Sequence, residues 1–328
     1  MKAIRYREYG STKVLEYVDV ETPVPGATEV LIRVRAAAAN PLDWHFMRGR
    51  PYLVRLGAGP RSPKDPRLGV DVAGVVTAVG RDVTRFKPGD AVFGGCRGAF
   101  AEYGVAAESA LVTKPDILTF EQAACVTVAG ITALQGLRSI GQIQAGQQVL
   151  INGAAGGVGT FAVQIAKACG ATVTGVCSTR NVEMLRSIGA DRVIEYAHED
   201  FTQDGRRYDL LLDCVGNRPL SACRRVLMPG GTYVAVGGPD GRWIGAFALM
   251  IRVAVLAKFV KQRLVVCMVR RNPDDLATLR ELVATGKVTP VIDRTCALSE
   301  VPEAIRYLEA GHARGKVVIT VAPEAQHA

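Results

Sequence analysis

The amino-acid sequence predicts an α/β protein in which a β-rich first part is followed by a doubly wound parallel sheet. Up to about residue 120, short apolar runs are separated by many glycine turns, which is typical of a compact β-barrel. From Thr119 onward, strand-like runs alternate with helix-like segments, as in a sheet whose parallel strands are joined by helices. A strand, a glycine-rich turn and an apolar helix also follow one another over residues 147–169.

The β-rich part begins with two strands predicted within residues 1–20 and a third over Glu29–Ala37. Pro41 predicts a short helix over Asn40–Arg50, because proline suits the first turn of a helix. Residues 51–66 are rich in Pro, Gly and Arg and predict a surface loop. Further strands are predicted over Gly69–Val79, Ala91–Phe93 and Ala99–Val105.

The second part opens with helices predicted over Phe120–Val128 and Ile131–Ile140. After the glycine-rich stretch, strands are predicted over Ala171–Cys177, Arg192–Ile194, Tyr208–Val215 and Thr232–Val236, with helices over Val182–Ile188 and Pro219–Leu227. The chain closes with predicted helices over Leu276–Ala284 and Val301–Ala310 and a strand over Lys316–Val321. Ser299 is expected to begin the second of these helices, because serine is a favoured N-cap residue.

The glycine-rich turn predicts a site for the diphosphate of a dinucleotide. Gly153, Gly156, Gly157 and Gly159 stand between an apolar strand and an apolar helix. Glycine lets a phosphate approach the backbone closely, and the N–H groups at a helix start bind anions. The usual Gly-x-Gly-x-x-Gly spacing is met only as Ala154-x-Gly156-x-x-Gly159, so a glycine turn without a cofactor is the alternative.

The residues after the next strand favour NADPH over NADH. A ribose 2′-hydroxyl is usually accepted there by an acidic side chain, but none occurs before Glu183. Instead the sequence has Ser178, Thr179, Arg180 and Asn181, a cation with hydroxyls beside it that suits a 2′-phosphate. The alternative is that Arg180 is a solvated charge at the start of a helix.

Composition and charge exclude several classes of protein. The chain has 328 residues, enough for two domains, and is 48% hydrophobic and 22% charged, a normal globular balance. The net charge is +9, but the sequence contains no long block of Lys and Arg of the kind that binds nucleic acids. Trp243–Val260 is apolar, but Arg252 and Lys258 interrupt it, so no membrane span is expected. This segment predicts a buried or partner-facing helix.

The eight cysteines show neither a C-x-x-C motif nor metal-ligand spacing. Cys169, Cys177 and Cys214 lie in apolar contexts and are expected to be small buried hydrophobes. Because the N-terminus shows no secretory signal peptide, we expect a reducing cytoplasm as the location.

Six short segments, spread over nearly the whole chain, form one pattern: Asn40–Asp43, Gly69–Val76, Lys87–Val92, Gly98–Tyr103, Gly153–Gly159 and Arg314–Val318. This pattern resembles the medium-chain dehydrogenase/reductase superfamily and, within it, the zinc-free quinone oxidoreductase-like branch. The resemblance implies a GroES-like β-barrel domain over residues 1–122, completed by 290–328, and a Rossmann domain over 123–289. It also implies an active-site cleft between them and a homodimer.

The resemblance further implies roles for individual residues. Asn40 and Asp43 would line the active site as catalytic residues; the alternatives are a loop cap and a charge partner for a helix N-terminus. Tyr196, expected in the NADPH pocket, could instead be a packed aromatic at a strand end. The full set expected to bind the cofactor is Thr127, Gly156, Gly157, Val158, Ser178, Arg180, Tyr196, Val215, Gly216, Gly237, Gly238 and Lys316.

The sequence does not predict a zinc site. Catalytic zinc needs three protein ligands, and zinc-using relatives have Cys where Asn40 stands and Gly-His-Glu where Gly69–Asp71 stand. A structural zinc lobe needs four close cysteines, but the region around residues 90–110 has only Cys96. His45 is the single nearby histidine and makes no site by itself.

Without a metal to polarise a carbonyl, the expected substrate carries its own electron sink. Quinones and α,β-unsaturated carbonyls qualify, so the expected function is NADPH-dependent hydride transfer to one of these. Asn40 would bond the substrate oxygen or the nicotinamide ribose, and Asp43 would hold local geometry or relay a proton. The alternatives are a non-enzymatic NADPH-binding interaction protein and a secondary-alcohol dehydrogenase. Tyr52, Leu53 and Ile244–Val260 are expected substrate walls, and the last could equally form a dimer interface.

Overall fold

The computed structural model describes residues 1–237, 245–270, 272–311 and 313–321, with the backbone alone over 245–248. The chain divides into two compact units, and each contains its own large sheet. Unit 1 comprises Met1–Val128, Arg271–Thr285 and Pro290–Ala328, and unit 2 comprises Ala129–Arg270 and Gly286–Thr289.

The strands are β1 (Lys2–Arg5), β2 (Glu16–Asp19), β3 (Glu29–Ala39), β4 (Asp71–Val79), β5 (Ala91–Gly95), β6 (Tyr103–Ala107), β7 (Leu111–Thr113), β8 (Gln148–Asn152), β9 (Thr172–Cys177), β10 (Arg192–Glu195), β11 (Tyr208–Asp213), β12 (Leu227–Ala235), β13 (Arg263–Val266), β14 (Ile292–Ala297) and β15 (Lys316–Thr320). The α-helices are α1 (Pro41–Arg48), α2 (Val54–Ala58), α3 (Phe120–Ala124), α4 (Thr127–Leu134), α5 (Gly157–Ala168), α6 (Val182–Ser187), α7 (Leu220–Arg225), α8 (Gly245–Ala257), α9 (Pro273–Ala284) and α10 (Val301–Glu309).

Unit 1 is built on a seven-stranded sheet in the order β14-β15-β3-β4-β5-β7, with β6 paired to β3. All its strand pairs are antiparallel except β14 with β15. The long strand β3 alternates buried and half-buried positions and then ends in the fully buried run Ala36–Ala39. This run lies between β4 and β15. The β-rich first part predicted from the sequence is therefore present, and the C-terminal segment completes it.

Unit 2 is a six-stranded parallel sheet in the order β10-β9-β8-β11-β12-β13. Numbered from β8, this is the order 3-2-1-4-5-6 of a doubly wound dinucleotide-binding fold, as the sequence predicted. The strand order reverses between β8 and β11, and ligands bind such sheets at the carboxyl ends of the strands beside that reversal. Val149–Ile151 and Leu210–Leu212 are buried on both faces, as expected for central parallel strands.

The structure corrects several predicted elements. The predicted loop over 51–66 contains helix α2, and the strand predicted from Ala99 begins only at Tyr103. The helix predicted over Ile131–Ile140 starts earlier, at Thr127, and its second half is a π-helix over Gln135–Ile140. Ser299 is not the N-cap of α10, since Leu298–Glu300 form a 3-10 turn. The carboxylate of Glu300 accepts the N–H of Ala297 at 2.7 Å there.

The apolar segment predicted to be a buried or partner-facing helix contains helix α8. Its inward face contributes Leu249, Val253 and Leu256 to the core of unit 2. No helix in the described part of the chain is long and apolar enough to cross a membrane. Among the cysteines expected to be buried, Cys177 is buried, whereas Cys169 and Cys214 are only partly buried.

Replacing Gly159 with alanine should destabilise unit 2. A Cβ there would lie 2.2 Å from the carbonyl oxygen of Gly153 and 2.6 Å from Cα of Ala154, backbone atoms that cannot move aside cheaply. We expect a loss of about 1–3 kcal/mol in the free energy of unfolding, measured by urea denaturation. The matched control is Gly57→Ala in α2, where an added Cβ meets nothing within 4 Å. It should be neutral or gain up to about 1 kcal/mol, and equal losses in both variants would contradict the steric argument.

Candidate functional site

Unit 1 contains a cluster of four polar side chains, Asn40, Asp43, Asp71 and Lys316, each at most 3% exposed. We call these residues the buried charge cluster. Asn40 follows directly after β3 and is the N-cap residue of α1, which carries Asp43. Asp71 begins β4 opposite Ala38, and Lys316 begins β15 next to the residue opposite Ala39. The sheet register therefore brings together groups that are far apart in sequence.

Lys316 is the centre of the buried charge cluster. Its Nζ donates to Oδ1 of Asn40 at 2.6 Å, to Oδ2 of Asp71 at 3.1 Å and to the carbonyl of Ala39 at 3.3 Å. An ammonium group has three protons, so all three are used. The structure shows Lys316 bonded to Asn40 and to the buried carboxylate of Asp71, and its predicted contact with the cofactor stays a prediction.

Asn40 is held rigidly by the same cluster. Its Nδ2 donates to the carbonyl of Ala38 at 3.1 Å and to Oδ2 of Asp71 at 3.0 Å, so both amide protons are engaged. A bond from Nδ2 to a substrate oxygen would require one of these contacts to open. The Oδ1 atom keeps one further lone pair beside the bond from Lys316.

Asp43 lies in the first turn of α1 and ties that helix to the strand before it. Its Oδ2 accepts the N–H of Asn40 at 2.7 Å. Burial, together with the nearby charge of Asp71, raises the pKa of Asp43 to about 7, although hydrogen bonds from the N–H groups of Asn40 and Gly69 and the charge of Lys316 act in the opposite direction. Asp43 can therefore hold or release a proton near neutral pH.

Asp71 was missed by the sequence analysis as a site residue. Its Oδ1 accepts the N–H of Val128 at 2.9 Å, which fixes the start of α4, while its Oδ2 takes the bonds from Asn40 and Lys316. The available signal was a single carboxylate inside the apolar run Gly69–Val76. A buried charge of this kind needs a partner, and none was evident nearby in the sequence.

Thr127, at the first position of α4, has a buried hydroxyl that lacks a hydrogen-bond partner in the described part of the chain. Buried polar atoms in proteins are nearly always bonded, so this oxygen is a place where a ligand group could bind. Thr127 is one of the residues predicted to contact the cofactor.

The glycine turn of unit 2 leaves the backbone open at the start of α5. Gly153 has φ +80°, and the N–H of Ala154 donates to the carbonyl of Val176 at 3.0 Å, which anchors the turn to β9. A Cβ on Gly156 would meet only the carbonyl oxygen of Gly153, at 3.5 Å. Gly157 and Val158 lie in the first turn of α5, whose N–H groups have no acceptor within the helix. This geometry can hold a phosphate.

A second buried carboxylate, Asp213 at the end of β11, organises the loop that faces this turn. Its Oδ1 accepts from Nδ2 of Asn152 at 2.8 Å and from the N–H groups of Val215 at 3.1 Å and Gly216 at 2.8 Å. Its Oδ2 accepts the hydroxyl of Tyr233 at 2.9 Å. Burial, together with the neighbouring Asp213 charge, raises the pKa of Tyr233, which therefore stays a neutral donor.

The strand ends at the reversal point are in close contact. A Cβ on Gly153 would come within 2.6 Å of Cγ2 of Val215, and a Cβ on Gly237 would come within 2.2 Å of the carbonyl oxygen of Cys214. The structure thus brings the predicted residues Val215, Gly216 and Gly237 beside the glycine turn. Gly238 lies outside the described residues. The sequence analysis missed Asn152 and Asp213, although each is a polar residue that ends a buried parallel strand.

The residues predicted for the adenosine phosphate meet at neighbouring strand ends. Cys177 of β9 pairs with Glu195 of β10, so Ser178 and Tyr196 follow side by side. Tyr196 is 55% exposed, which does not fit the alternative of a packed aromatic. Arg180 is also exposed, and Nδ2 of Asn181 donates to Oγ of Ser178 at 3.1 Å.

Comparison with known proteins places these two units in a family. Residues 26–116 match the alcohol dehydrogenase GroES-like domain, and residues 188–319 match a domain described as zinc-binding dehydrogenase. The chain is 34% identical over 337 residues to a chloroplastic quinone oxidoreductase of Triphysaria versicolor, covering 97% of this chain and 98% of that protein. It is 36% identical over 353 residues to a mitochondrial NAD(P)H oxidoreductase of Bos taurus, covering 96% and 87%.

A solved structure, the quinone oxidoreductase from Coxiella burnetii, superposes with a TM-score of 0.86 at 34% identity and covers 98% of this chain and 99% of that one. The chain therefore belongs to the medium-chain dehydrogenase/reductase superfamily, in the zinc-free quinone oxidoreductase-like branch. The predicted membership and the predicted pair of GroES-like and Rossmann folds are confirmed. Membership supports an oxidoreductase that uses a nicotinamide cofactor.

The residues present do not fit the zinc site that the name of the matched domain suggests. Asn40 and Val70 offer no thiolate, imidazole or carboxylate ligand for zinc, and the carboxylate of Asp71 is bonded to Lys316. Over the described ranges, no group of three or more His, Cys, Asp or Glu side chains could hold a metal ion.

Removing the cation of the buried charge cluster should strongly destabilise the protein. Lys316→Met leaves the carboxylate of Asp71 buried without its ammonium partner, which should cost about 3–5 kcal/mol in the free energy of unfolding. Adding Asp71→Asn should restore part of that loss, because the uncompensated charge is removed. The control is Lys2→Met, which breaks an exposed pair with Asp19 and should change the free energy of unfolding far less, because water screens that pair. Strict additivity of the two cluster substitutions would contradict the proposed pairing.

Asp43 should make stability fall as the pH rises toward neutrality. Between pH about 4 and about 7 the unfolded chain releases the Asp43 proton while the folded protein retains it, so the free energy of unfolding decreases with pH. Below this window both states are protonated, and above it both are ionised. Asp43→Asn can still accept from the N–H of Asn40 but does not titrate. Relative to the wild type it should gain roughly 4 kcal/mol between pH 4 and 8, measured by urea denaturation. A constant difference across this range would show that Asp43 is ionised throughout.

Proposed function

We propose that the protein is an NADPH-dependent oxidoreductase that transfers a hydride to a quinone or an α,β-unsaturated carbonyl without zinc. The observation that carries the proposal is the open glycine turn beside the reversal point of a doubly wound sheet. Unsatisfied N–H groups at the start of α5 attract an anionic diphosphate, and the loop fixed by Asp213 would border the nicotinamide half. The relatives named as oxidoreductases of quinones and of NAD(P)H support the same class.

The preference for NADPH rests on the groups after β9 and β10. Because Oγ of Ser178 accepts from Asn181, its own proton can be donated to a phosphate oxygen. The exposed cation of Arg180 suits a 2′-phosphate, and no acidic side chain occurs between Ser178 and Glu183 to accept a ribose hydroxyl. Tyr196, exposed at the neighbouring strand end, would cover the adenosine.

In unit 1, Thr127 would bond the cofactor with its unpartnered hydroxyl. The bound nicotinamide supplies the hydride, and the substrate accepts its charge on a conjugated oxygen. The remaining lone pair on Oδ1 of Asn40 would accept a hydrogen bond from a hydroxyl of the nicotinamide ribose. Lys316 and Asp71 hold the Asn40 side chain in place. Asp43, whose pKa is raised to about 7 by burial, would hold or release a proton near neutral pH.

We further propose the domain limits 1–122 with 290–328 for the GroES-like domain and 123–289 for the Rossmann domain. The reducing cytoplasm stays our proposed location, which the eight free cysteines support. A homodimer is proposed from the family resemblance.

The function is tested by NADPH oxidation with a benzoquinone, a conjugated enone and a simple ketone, and by NADP⁺ reduction with a secondary alcohol. We expect turnover of a quinone or an enone, unchanged by a zinc chelator, and none of the saturated compounds. Saturable NADPH binding without turnover of any compound would favour the non-enzymatic alternative. Chelator-sensitive alcohol oxidation would favour a secondary-alcohol dehydrogenase.

Arg180→Ala should weaken NADPH binding selectively. Loss of a charge-assisted contact to the 2′-phosphate should raise the Kd for NADPH about 10- to 100-fold and leave the Kd for NADH nearly unchanged. Tryptophan-fluorescence titration measures both constants. The control Arg186→Ala removes a cation paired with Glu183 on α6 and should change neither. Equal weakening toward both dinucleotides would argue against a 2′-phosphate site at Arg180.

A further inference from the structure

Helix α8 of unit 2 has an apolar outer face that nothing in the described structure covers. Ile251, Val255 and Phe259 are 65%, 54% and 78% exposed. They are four residues apart, so Ile251 and Val255 lie on one side of α8, and the turn that follows the helix carries Phe259. The opposite side packs Val253 and its neighbours into the core of unit 2. The exposed stripe is therefore not needed for folding of this helix.

Basic side chains surround this stripe. Arg252, Lys258 and Lys261 are exposed, and none of them forms an ion pair with any residue that the structure describes. The sequence from Gly241 to Pro273 contains seven Lys or Arg residues and no Asp or Glu. In the whole chain, by contrast, 40 basic residues are accompanied by 31 acidic ones. The positive charge around α8 is thus a local feature and does not simply follow the average composition.

We propose that this surface, formed by Ile251, Arg252, Val255, Lys258, Phe259 and Lys261 and called here the α8 face, docks on an anionic phospholipid bilayer. Exposed aliphatic and aromatic side chains with Lys and Arg beside them are the features of helices that lie in a membrane interface. The long stems of Arg252 and Lys258 can follow the apolar stripe while their charged ends reach lipid headgroups. The 13 residues of α8 are too few to span a bilayer, so the helix would lie on the membrane surface.

Charge decides against a second copy of this chain as the occupant. A two-fold interface would place this patch against the same patch of the second copy, so the cations Arg252, Lys258 and Lys261 of the two copies would be brought close together. Like charges brought together in this way oppose association, whereas an anionic surface attracts all of them. The proposal concerns only unit 2 and does not depend on the reaction that the protein catalyses.

The test is co-sedimentation of the full-length protein with vesicles of phosphatidylcholine alone or mixed with phosphatidylglycerol. We expect binding to the mixed vesicles that weakens as salt is raised, and little binding to phosphatidylcholine alone. Lys258→Glu with Lys261→Glu should lower the partition coefficient by about 25-fold or more, since each basic residue near the surface contributes about fivefold. Val255→Ser with Phe259→Ser should lower it by a similar factor through lost apolar insertion.

Matched controls separate the α8 face from net charge and general hydrophobicity. Lys64→Glu with Lys87→Glu makes the same charge change on exposed positions of unit 1, and Leu56→Ser removes an apolar side chain that is 74% exposed. Both should bind the mixed vesicles as the wild type does. Equal losses in the controls, or no loss in either α8 double variant, would overturn the proposal. So would light scattering that shows an oligomer in the wild type and a monomer in the Val255→Ser, Phe259→Ser variant, because a second copy would then occupy the face.

Discussion

In each unit a buried carboxylate fixes the candidate site: Asp71 at the start of β4 in unit 1 and Asp213 at the end of β11 in unit 2. Asp71 gathers two side chains and a helix-start N–H in unit 1, and Asp213 gathers a side-chain amide, two loop N–H groups and a tyrosine hydroxyl in unit 2. A carboxylate withdrawn from water must be compensated, so each of these partners is held in place. The residues that would face substrate and cofactor are neighbours of these partners in the chain, so their positions are fixed by the same hydrogen bonds.

The two carboxylates are compensated differently, and the difference suits their surroundings. Asp71 has a full cation, Lys316, within 3.1 Å, which leaves a nearly neutral cluster next to Asp43. Asp213 is compensated by neutral donors, several of them backbone groups, so it defines the shape of a loop. Asp43, buried beside Asp71 with a raised pKa, is the group in this region that can exchange a proton near pH 7. Positioning and proton exchange are thus divided between neighbouring carboxyl groups.

The α8 face differs from both sites because its side chains lie on the outside of the unit and do not pack in the core. Its apolar stripe and its cations lie outward, and the contacts that fold α8 come from the opposite side of the helix. Such a surface costs solubility without adding stability, so an external partner is the physical reason for keeping it. The sequence analysis recognised the segment as apolar and interrupted by charges, but periodicity alone could not say which side of the helix was already used by the core.

The sequence by itself determined much of the order of strands and helices, the glycine turn and the family, because these depend on local periodicity and on short motifs; α2, β13 and β14 were not predicted. Only the tertiary structure showed that Lys316 meets Asn40, 276 positions away, since that contact depends on the pairing of β15 with β3. The same holds for Asp71, whose partners come from three other segments of the chain, and for the unpartnered hydroxyl of Thr127. The sequence gives the type of each residue. Sheet register and packing decide which buried polar groups form hydrogen bonds with one another.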